Sequence, residues 1–568
     1  MANAPEPDIN ELLWTIAMAR LIFGAEMNIQ APPNLSPGVF NQIINAGIND
    51  WGGVSPVTPD FVNPEAPWPH LKNLADETAG EGKILVERLA LYPSHVRDVR
   101  KWVDEAMVAK VLDAVDGQGF ARDETWAAGE TPQPPAIELG RVTQIPKVSA
   151  ASDLKLILAK ASAGEKLQEA EIVRLLQARG DDFTHVCQAA DQIRRKLCGD
   201  EVSYCVNRNI NYTNVCYFKC QFCAFSKGKM SENLRGRPYD LSPEELMRRT
   251  KEASDRGASE VCLQGGIHPE YTGQTYIDIC HSIKQVVPDM HIHAFSPLEV
   301  WQGAQTLNLP VGEFLKQLKE AGLGTLPGTA AEILDDEVRA TLCPDKINTN
   351  QWLEVMEAAH GEGFNTTATI MYGHMESYYH VARHLLRVRG LQERTQGFTE
   401  FVILPFIHME SPLYLKGNAR RGPTFREAVL IHAVSRLALN PVFKNIQASW
   451  TKLGHEGVKA CLQAGVNDLG GTLMNETITR AAGASHGQET SPEVMEQLII
   501  AAGRTPRQRT TAYGKVTELQ RQKSFGAATL KEPVYTSAKR YERVKRNKQD
   551  LVRSSVDSSE EISSADII

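Results

Sequence analysis

Between residues 203 and 469, eight short strand-like runs alternate with longer stretches of helical periodicity. The strand candidates are 203–212, 260–265, 291–296, 323–326, 364–371, 401–405, 445–449 and 467–469, and a helix candidate follows each. Parallel strands need long crossovers, and a helix after every strand supplies them. This pattern predicts an α/β fold, a (β/α)8 barrel, with its chemistry at the C-terminal ends of the strands. At 568 residues the chain exceeds what one core holds, so at least two domains are expected.

A second feature is an internal repeat. NIQA at 28–31 recurs at 445–448, and AGINDWGG at 46–53 recurs as AGVNDLGG at 464–471. Arg20-Leu21 pairs with Arg436-Leu437, and RLALY at 88–92 with RTTAY at 509–513. Recurring words in one order with one spacing mark a repeated structural unit. The second copy closes the barrel, so the first reads as the closing piece of another barrel whose first six βα units are absent. Such a piece would have exposed strand edges. It should lean on the complete barrel, pair with another chain, or be poorly ordered.

The expected domains are 1–122, the remnant; 123–152, a proline-rich exposed linker; 153–523, the complete barrel; and 524–568, a disordered tail carrying the basic run KRYERVKRNK at 539–548. Helices are expected at 8–23, 36–46, 154–179 and 183–197, and short strands around 28–31 and 47–53. A net charge of −8 argues against a nucleic-acid partner. No apolar run approaches the roughly 20 residues that span a bilayer. The acidic start, with Glu6, Asp8, Glu11 and Glu26, does not resemble a targeting peptide, so a cytoplasmic location is expected.

The strongest chemical signal is NYTNVCYFKCQFCAFSK at 211–227. Cys216, Cys220 and Cys223 form C-x3-C-x2-C just past the first barrel strand. A structural zinc site wants four ligands, and no fourth Cys or His stands at the usual offset; Cys205 could reach only by a fold-back. Three thiolates suit a 4Fe–4S cluster with one iron left for an outside ligand, and zinc is the runner-up. Ser296, Glu299, Glu332, His374 and Glu376 stand at strand ends, where they either line a pocket or satisfy neighbouring backbone. His291 and His293 share a strand face and read as a packed pair rather than metal ligands.

The cysteine spacing at this place in a barrel resembles the radical S-adenosylmethionine (SAM) superfamily. That resemblance implies a (β/α)8 radical SAM TIM barrel and a 4Fe–4S cluster on Cys216, Cys220 and Cys223. It further implies an open iron that chelates the amino and carboxylate groups of SAM, and electron transfer that releases a 5′-deoxyadenosyl radical. Phe222 matches the position that packs near the adenine. Gly265 and Gly266 match a glycine pair near the methionyl amine. The family often has an acidic residue next, where this chain has Ile267. Ser296, Glu332 and His374 are the further cofactor-pocket candidates.

The match narrows further. NRNINYTNVC, CAFSK, LQGGIHPE, TATIMYGHME, NIQASWTKLG and NDLGGTLMNE resemble the branch that holds FO synthase and the aminofutalosine and cyclic-futalosine enzymes. NIQAPPNLSP, GINDWGGVSPVTPD and NPEAPWPHL resemble the end of the cyclising module of fused FO synthases. The resemblance implies coupling of the 4-hydroxybenzyl group of L-tyrosine to 5-amino-6-(D-ribitylamino)uracil, with an electron donor. Closure to the deazaflavin FO, the precursor of coenzyme F-420, would then need a separate cyclising module. The alternatives are a menaquinone-pathway enzyme of the same branch or a truncated, non-catalytic binding protein.

Overall fold

The computed structural model describes residues 8–130, 133–226 and 237–536. The chain divides into two compact units. One holds residues up to 97 with 119–123; the other holds 98–118 and everything from 124 onward.

The larger unit is the barrel. β1 (Glu201–Cys205) and β2 (Asn207–Asn211) are two halves of one strand, interrupted at Val206. The further strands are β3 (Glu260–Gln264), β4 (His291–Ala294), β5 (Thr325–Leu326), β6 (Asn365–Tyr372), β7 (Phe398–Pro405), β8 (Asn445–Ala448) and β9 (Asp468–Gly471). Each pairs in parallel with the next from β2 to β9. β9 returns to β1, and the bridge Arg208–Met474 continues that seam into β2. Eight parallel staves therefore close on themselves, as the strand–helix alternation predicts. Burial of β2 along its whole length, and of most positions in the other staves, is what a helix-covered parallel sheet requires.

One strand was not anticipated. β10 (Thr505–Arg509) pairs in parallel with β1, from Glu201↔Thr505 to Cys205↔Arg509. Its sequence, TPRQR, lacks the apolar alternation of a strand. It is held by charge. Arg509 Nε sits 2.6 Å from Asp468 Oδ2 at the start of β9, and Nη2 sits 3.1 Å from Glu400 Oε2 in β7. Tyr513 donates its hydroxyl to the same Glu400 oxygen at 2.6 Å. This network fills the N-terminal end of the barrel, opposite the end where chemistry is expected.

The smaller unit repeats the Arg–Asp pair of this network and several contacts around it, without a counterpart of Glu400 among the described residues. Arg20 Nε donates to the Gly47 carbonyl at 2.8 Å, as Arg436 Nε does to Gly465 at 2.8 Å. Ile29 N donates to Asn49 Oδ1 at 2.7 Å, as Ile446 N does to Asn467 Oδ1 at 3.0 Å. Asn49 and Asn28 pair at 3.0 Å, as do Asn467 and Asn445. Arg88 Nε meets Asp50 Oδ2 at 2.6 Å and its guanidinium lies 4.4 Å over the Tyr92 ring; Arg509 meets Asp468 and lies 4.0 Å over Tyr513. The sequence repeat is thus a repeat of one polar frame. The two expected strands meet at a single parallel bridge, Gln30–Asp50, just as β8 and β9 pair only at Gln447–Asp468. The unit has a small core of Ile16, Phe40, Ile43, Ile44, Ile48, Trp51 and Leu74.

The helix Ile9–Phe23 is more exposed than its counterpart in the larger unit. Trp14 is 65% and Leu21 78% exposed, whereas the corresponding Leu430 and Leu437 of the helix Phe425–Leu439 are fully buried at 0%. In the larger unit that helix packs among helices and strands that have no counterpart in the smaller one.

Three expectations need correction. Residues 123–152 are not an exposed linker: Trp126 is 1% exposed, Val142 2%, and the helix Ala136–Thr143 packs on the helix Gly180–Cys198 within the main core. Residues 98–118 belong with the barrel rather than with the remnant. The start of the tail is ordered too. Lys531 N donates to Glu252 at 2.7 Å, Val534 N to Glu245 at 3.1 Å, and the Tyr535 ring lies 4.7 Å from Tyr239. Backbone donors to Glu252 and Glu245 and the ring contact of Tyr535 hold a segment whose average composition suggested no order. Residues 537–568, with the basic run, lie outside the described residues.

Candidate active site

The C-terminal ends of the staves surround a cavity of about 260 Å³. Cys216, Cys220 and Cys223 line it, on the loop that follows β2. Backbone bonds pin this loop at several points: Tyr217 N to Ile267 O at 3.1 Å, Gln221 N to Leu342 O at 2.9 Å, and Leu413 N to Gln221 O at 2.7 Å. Burial raises all three thiols above the ordinary cysteine range, Cys220 most, which a bound cation would reverse.

The thiols fit a cluster better than a single ion. Two thiolates on one zinc lie at most about 4.6 Å apart, twice the Zn–S bond. Among the described residues only Asp335, Glu337 and His380 bring three ligating atoms within 4.8 Å; the three cysteines do not. Wider spacing suits thiolates that each hold a different iron. The Asp335 group is occupied otherwise: His380 Nδ1 accepts from Ser377 N at 3.1 Å, and Arg387 lies 3.1 Å from Asp335.

Gly265 and Gly266 end β3 and line the cavity beside the cysteines. Their lack of side chains is required. A Cβ on Gly265 would lie 2.2 Å from the Tyr212 ring, and one on Gly266 2.2 Å from the Val215 carbonyl oxygen and 2.9 Å from Cys216 Cβ. Bare backbone therefore faces the cavity where the cysteine loop passes closest.

Four charged side chains line the cavity: Glu299, Glu332, Lys346 and Lys452. Ser296 caps the helix Pro297–Thr306 in a reciprocal box with Glu299, and the Tyr212 hydroxyl also donates to Glu299. Burial raises the Glu299 carboxyl above the usual range. Glu332 follows β5 in a turn where Ala330 and Glu332 hold positive φ angles of 65° and 46°. Its Oε1 lies 2.7 Å from Lys346 Nζ. Burial alone would lower the Lys346 ammonium, but the charges of Glu332, Cys220 and Cys343 outweigh it and raise it. Lys346 Nζ also lies 5.1 Å over the Phe222 ring, within cation–π range.

Of the six cofactor-pocket candidates from the sequence, Phe222, Gly265, Gly266, Ser296 and Glu332 line the cavity; His374 does not. It is fully buried, accepts from Met375 N at 2.8 Å, and packs edge-on to Phe406 at 5.8 Å, which is itself a lining residue. Glu376 accepts from Gly373 N and His374 N and serves the turn. His291 and His293 both bond Thr325 Oγ1, at 2.8 and 2.7 Å, and form the packed pair expected. Lys346, in the loop after the helix Asp336–Leu342, belongs to no sequence motif, and Lys452, in the first turn of the helix Trp450–Leu462, falls within NIQASWTKLG without a chemical signature of its own; only closure of the barrel brings both to the cavity. No helix among the described residues is long and apolar enough to cross a membrane.

Residues 210–388 match the radical SAM superfamily and 395–522 match the CofH/MqnC C-terminal region. The chain is 46% identical over 350 residues to the 5-amino-6-(D-ribitylamino)uracil–L-tyrosine 4-hydroxyphenyl transferase of Methanopyrus kandleri, covering 94% of that protein and 62% of this chain. It is 42% identical over 557 residues to the FO synthase of Streptomyces coelicolor and 43% over 564 to that of Nocardia farcinica, in each case over 91% of this chain. It spans 64% and 65% of the length of those two FO synthases. The chain belongs to the radical SAM superfamily, in the family of FO synthases and tyrosine 4-hydroxyphenyl transferases.

Proposed function

We propose that the barrel couples the 4-hydroxybenzyl group of L-tyrosine to 5-amino-6-(D-ribitylamino)uracil, a step of FO synthesis. The observation that carries this reading is one cavity holding three cysteines, a bare glycine pair and 46% identity with the named transferase across nearly all of that protein. Cys216, Cys220 and Cys223 would hold the cluster, with Gly265, Gly266 and Phe222 beside SAM. When bound, cluster and SAM supply one-electron chemistry.

The chain's own residues do the rest. Leu298, Met371, Leu404, Phe406, Ile407 and Ile478 give the cavity dry walls, which protect a reactive species from water. Lys346, locked to Glu332 and laid over Phe222, places a fixed positive charge next to Cys220 and favours its thiolate. Glu299, spent on Ser296 and Tyr212, fixes the end of β4 rather than moving a proton.

The smaller unit is, in our reading, the closing piece of a second barrel of the same kind. The matched polar frame and the open face of its first helix support this. On that reading the chain forms the coupled intermediate, and ring closure needs a cyclising module and an electron donor. A cytoplasmic location accords with ten cysteines that are all thiols.

The test is an anaerobic assay of the reconstituted chain with SAM and a strong reductant, giving tyrosine and the diaminouracil singly and together. The expected result is 5′-deoxyadenosine with tyrosine, and the coupled adduct only with both. SAM cleavage indifferent to tyrosine would instead favour a futalosine-type substrate, a reading the CofH/MqnC match leaves open. FO made without an added cyclising module would overturn the assignment of the smaller unit.

A further inference from the structure

The four charged groups lining the cavity are unequally satisfied. Glu299 accepts from Ser296 and Tyr212, and Glu332 and Lys346 hold each other. Lys452 is left over. Its Nζ has one hydrogen bond, to Thr479 Oγ1 at 3.3 Å, and no carboxylate within 4.0 Å among the described residues. Burial pulls this ammonium below the ordinary lysine value, with Glu476 and Glu332 only partly compensating from a distance. A cation facing a mostly apolar cavity without a counter-ion is costly unless a ligand brings the anion.

The position says which anion. Lys346 has Cys220 among its electrostatic neighbours; Lys452 has Glu476 and Glu332 and no cysteine. Lys452 follows β8, and Ile478, Thr479 and Ala482, from the segment after β9, line the cavity with it. The cysteines enter the same cavity from the loop after β2, two staves round the barrel from β8. We propose that Lys452 anchors the α-carboxylate of the amino-acid substrate, with Thr479 steadying the ammonium. This rests on the reading that tyrosine is that substrate. The uracil partner offers no carboxylate, so this contact sorts the two substrates to different parts of one cavity. Lys452 is a binding residue; it takes no proton and breaks no bond.

The test is calorimetric binding of L-tyrosine and of tyramine, which is tyrosine without its carboxylate. Both are titrated into the full reconstituted chain with SAM, anaerobically and without reductant. One charge-assisted bond predicts about tenfold tighter binding of tyrosine than of tyramine to the wild type. K452M should bind the two alike, K452R should keep part of the preference, and SAM affinity should be the same in all three. Equal wild-type affinity for the two ligands overturns the proposal, as does a preference that survives in folded K452M. Loss of SAM affinity in K452M overturns it in favour of SAM's own carboxylate. A wild type that binds neither ligand overturns the substrate reading beneath it.

Discussion

Replacing Gly266 by alanine tests whether bare backbone beside the cysteines is what positions them. The new Cβ would stand 2.2 Å from the Val215 carbonyl oxygen and 2.9 Å from Cys216 Cβ, far inside van der Waals contact. Neither neighbour is a flexible side-chain end. Gly266 N is bonded to Thr213 O at 2.9 Å and Tyr217 N to Ile267 O at 3.1 Å, so both strands of the contact are tied. Overpacking of this kind costs about 1–3 kcal/mol. Here the relief would come from moving Val215 and with it Cys216, so the cost should fall on cluster binding, weakening it by roughly 5- to 150-fold. The assay is iron and sulfide per chain after limited anaerobic reconstitution, followed by the cluster's electron paramagnetic resonance signal. Gly140→Ala is the control, since nothing lies within 4 Å of a Cβ there. A G266A chain that takes up iron as the wild type does would refute the reasoning.

Three further outcomes follow from the same geometry. Cys205→Ser should leave iron content unchanged, because Cys205 is buried at the end of β1 beside Ser259, 3.5 Å away, and outside the cavity lining; loss of iron would make it a fourth ligand. Arg88→Leu leaves the Asp50 carboxylate half of a buried pair alone, at about 3 kcal/mol, so hydrogen exchange across 28–53 should quicken by roughly a hundredfold, and unchanged protection would deny the frame its role. Glu400 is raised to about 7 by burial, with Asp468 sharing its arginine. Between its ordinary value of 4.5 and about 7 the folded state keeps a proton that the unfolded chain has released, so this group's contribution falls as pH rises and is fully lost above. Glu400→Gln should therefore gain on the wild type across that window, by up to about 3 kcal/mol in urea unfolding; a gain independent of pH would contradict it.

The cysteine motif and the barrel were legible because both are local in sequence. A loop of eight residues carries all three thiols, and each stave is followed along the chain by its own helix. The repeat was legible for a similar reason: Asn49, Asp50 and Arg88 recur as Asn467, Asp468 and Arg509, and the same contacts recur with them. His374 misled because a histidine at a strand end has the same sequence signature whether it faces the cavity or the layer behind Phe406.

What the sequence by itself determined was the order of strands and helices, the three cysteines that line the cavity and the existence of a repeated polar frame. Tertiary structure alone decided the rest. β10 has no strand periodicity and is held by Asp468 and Glu400, which lie 41 and 109 positions away from Arg509. Trp126 and Val142 turned an apparent linker into core by packing on a distant helix. Lys346 and Lys452 became cavity residues through the closure of eight staves that brings their segments together. A local pattern records how a segment folds along its own axis. Which charge remains without a partner depends on every chain segment that converges on it, and that convergence exists only in the folded barrel.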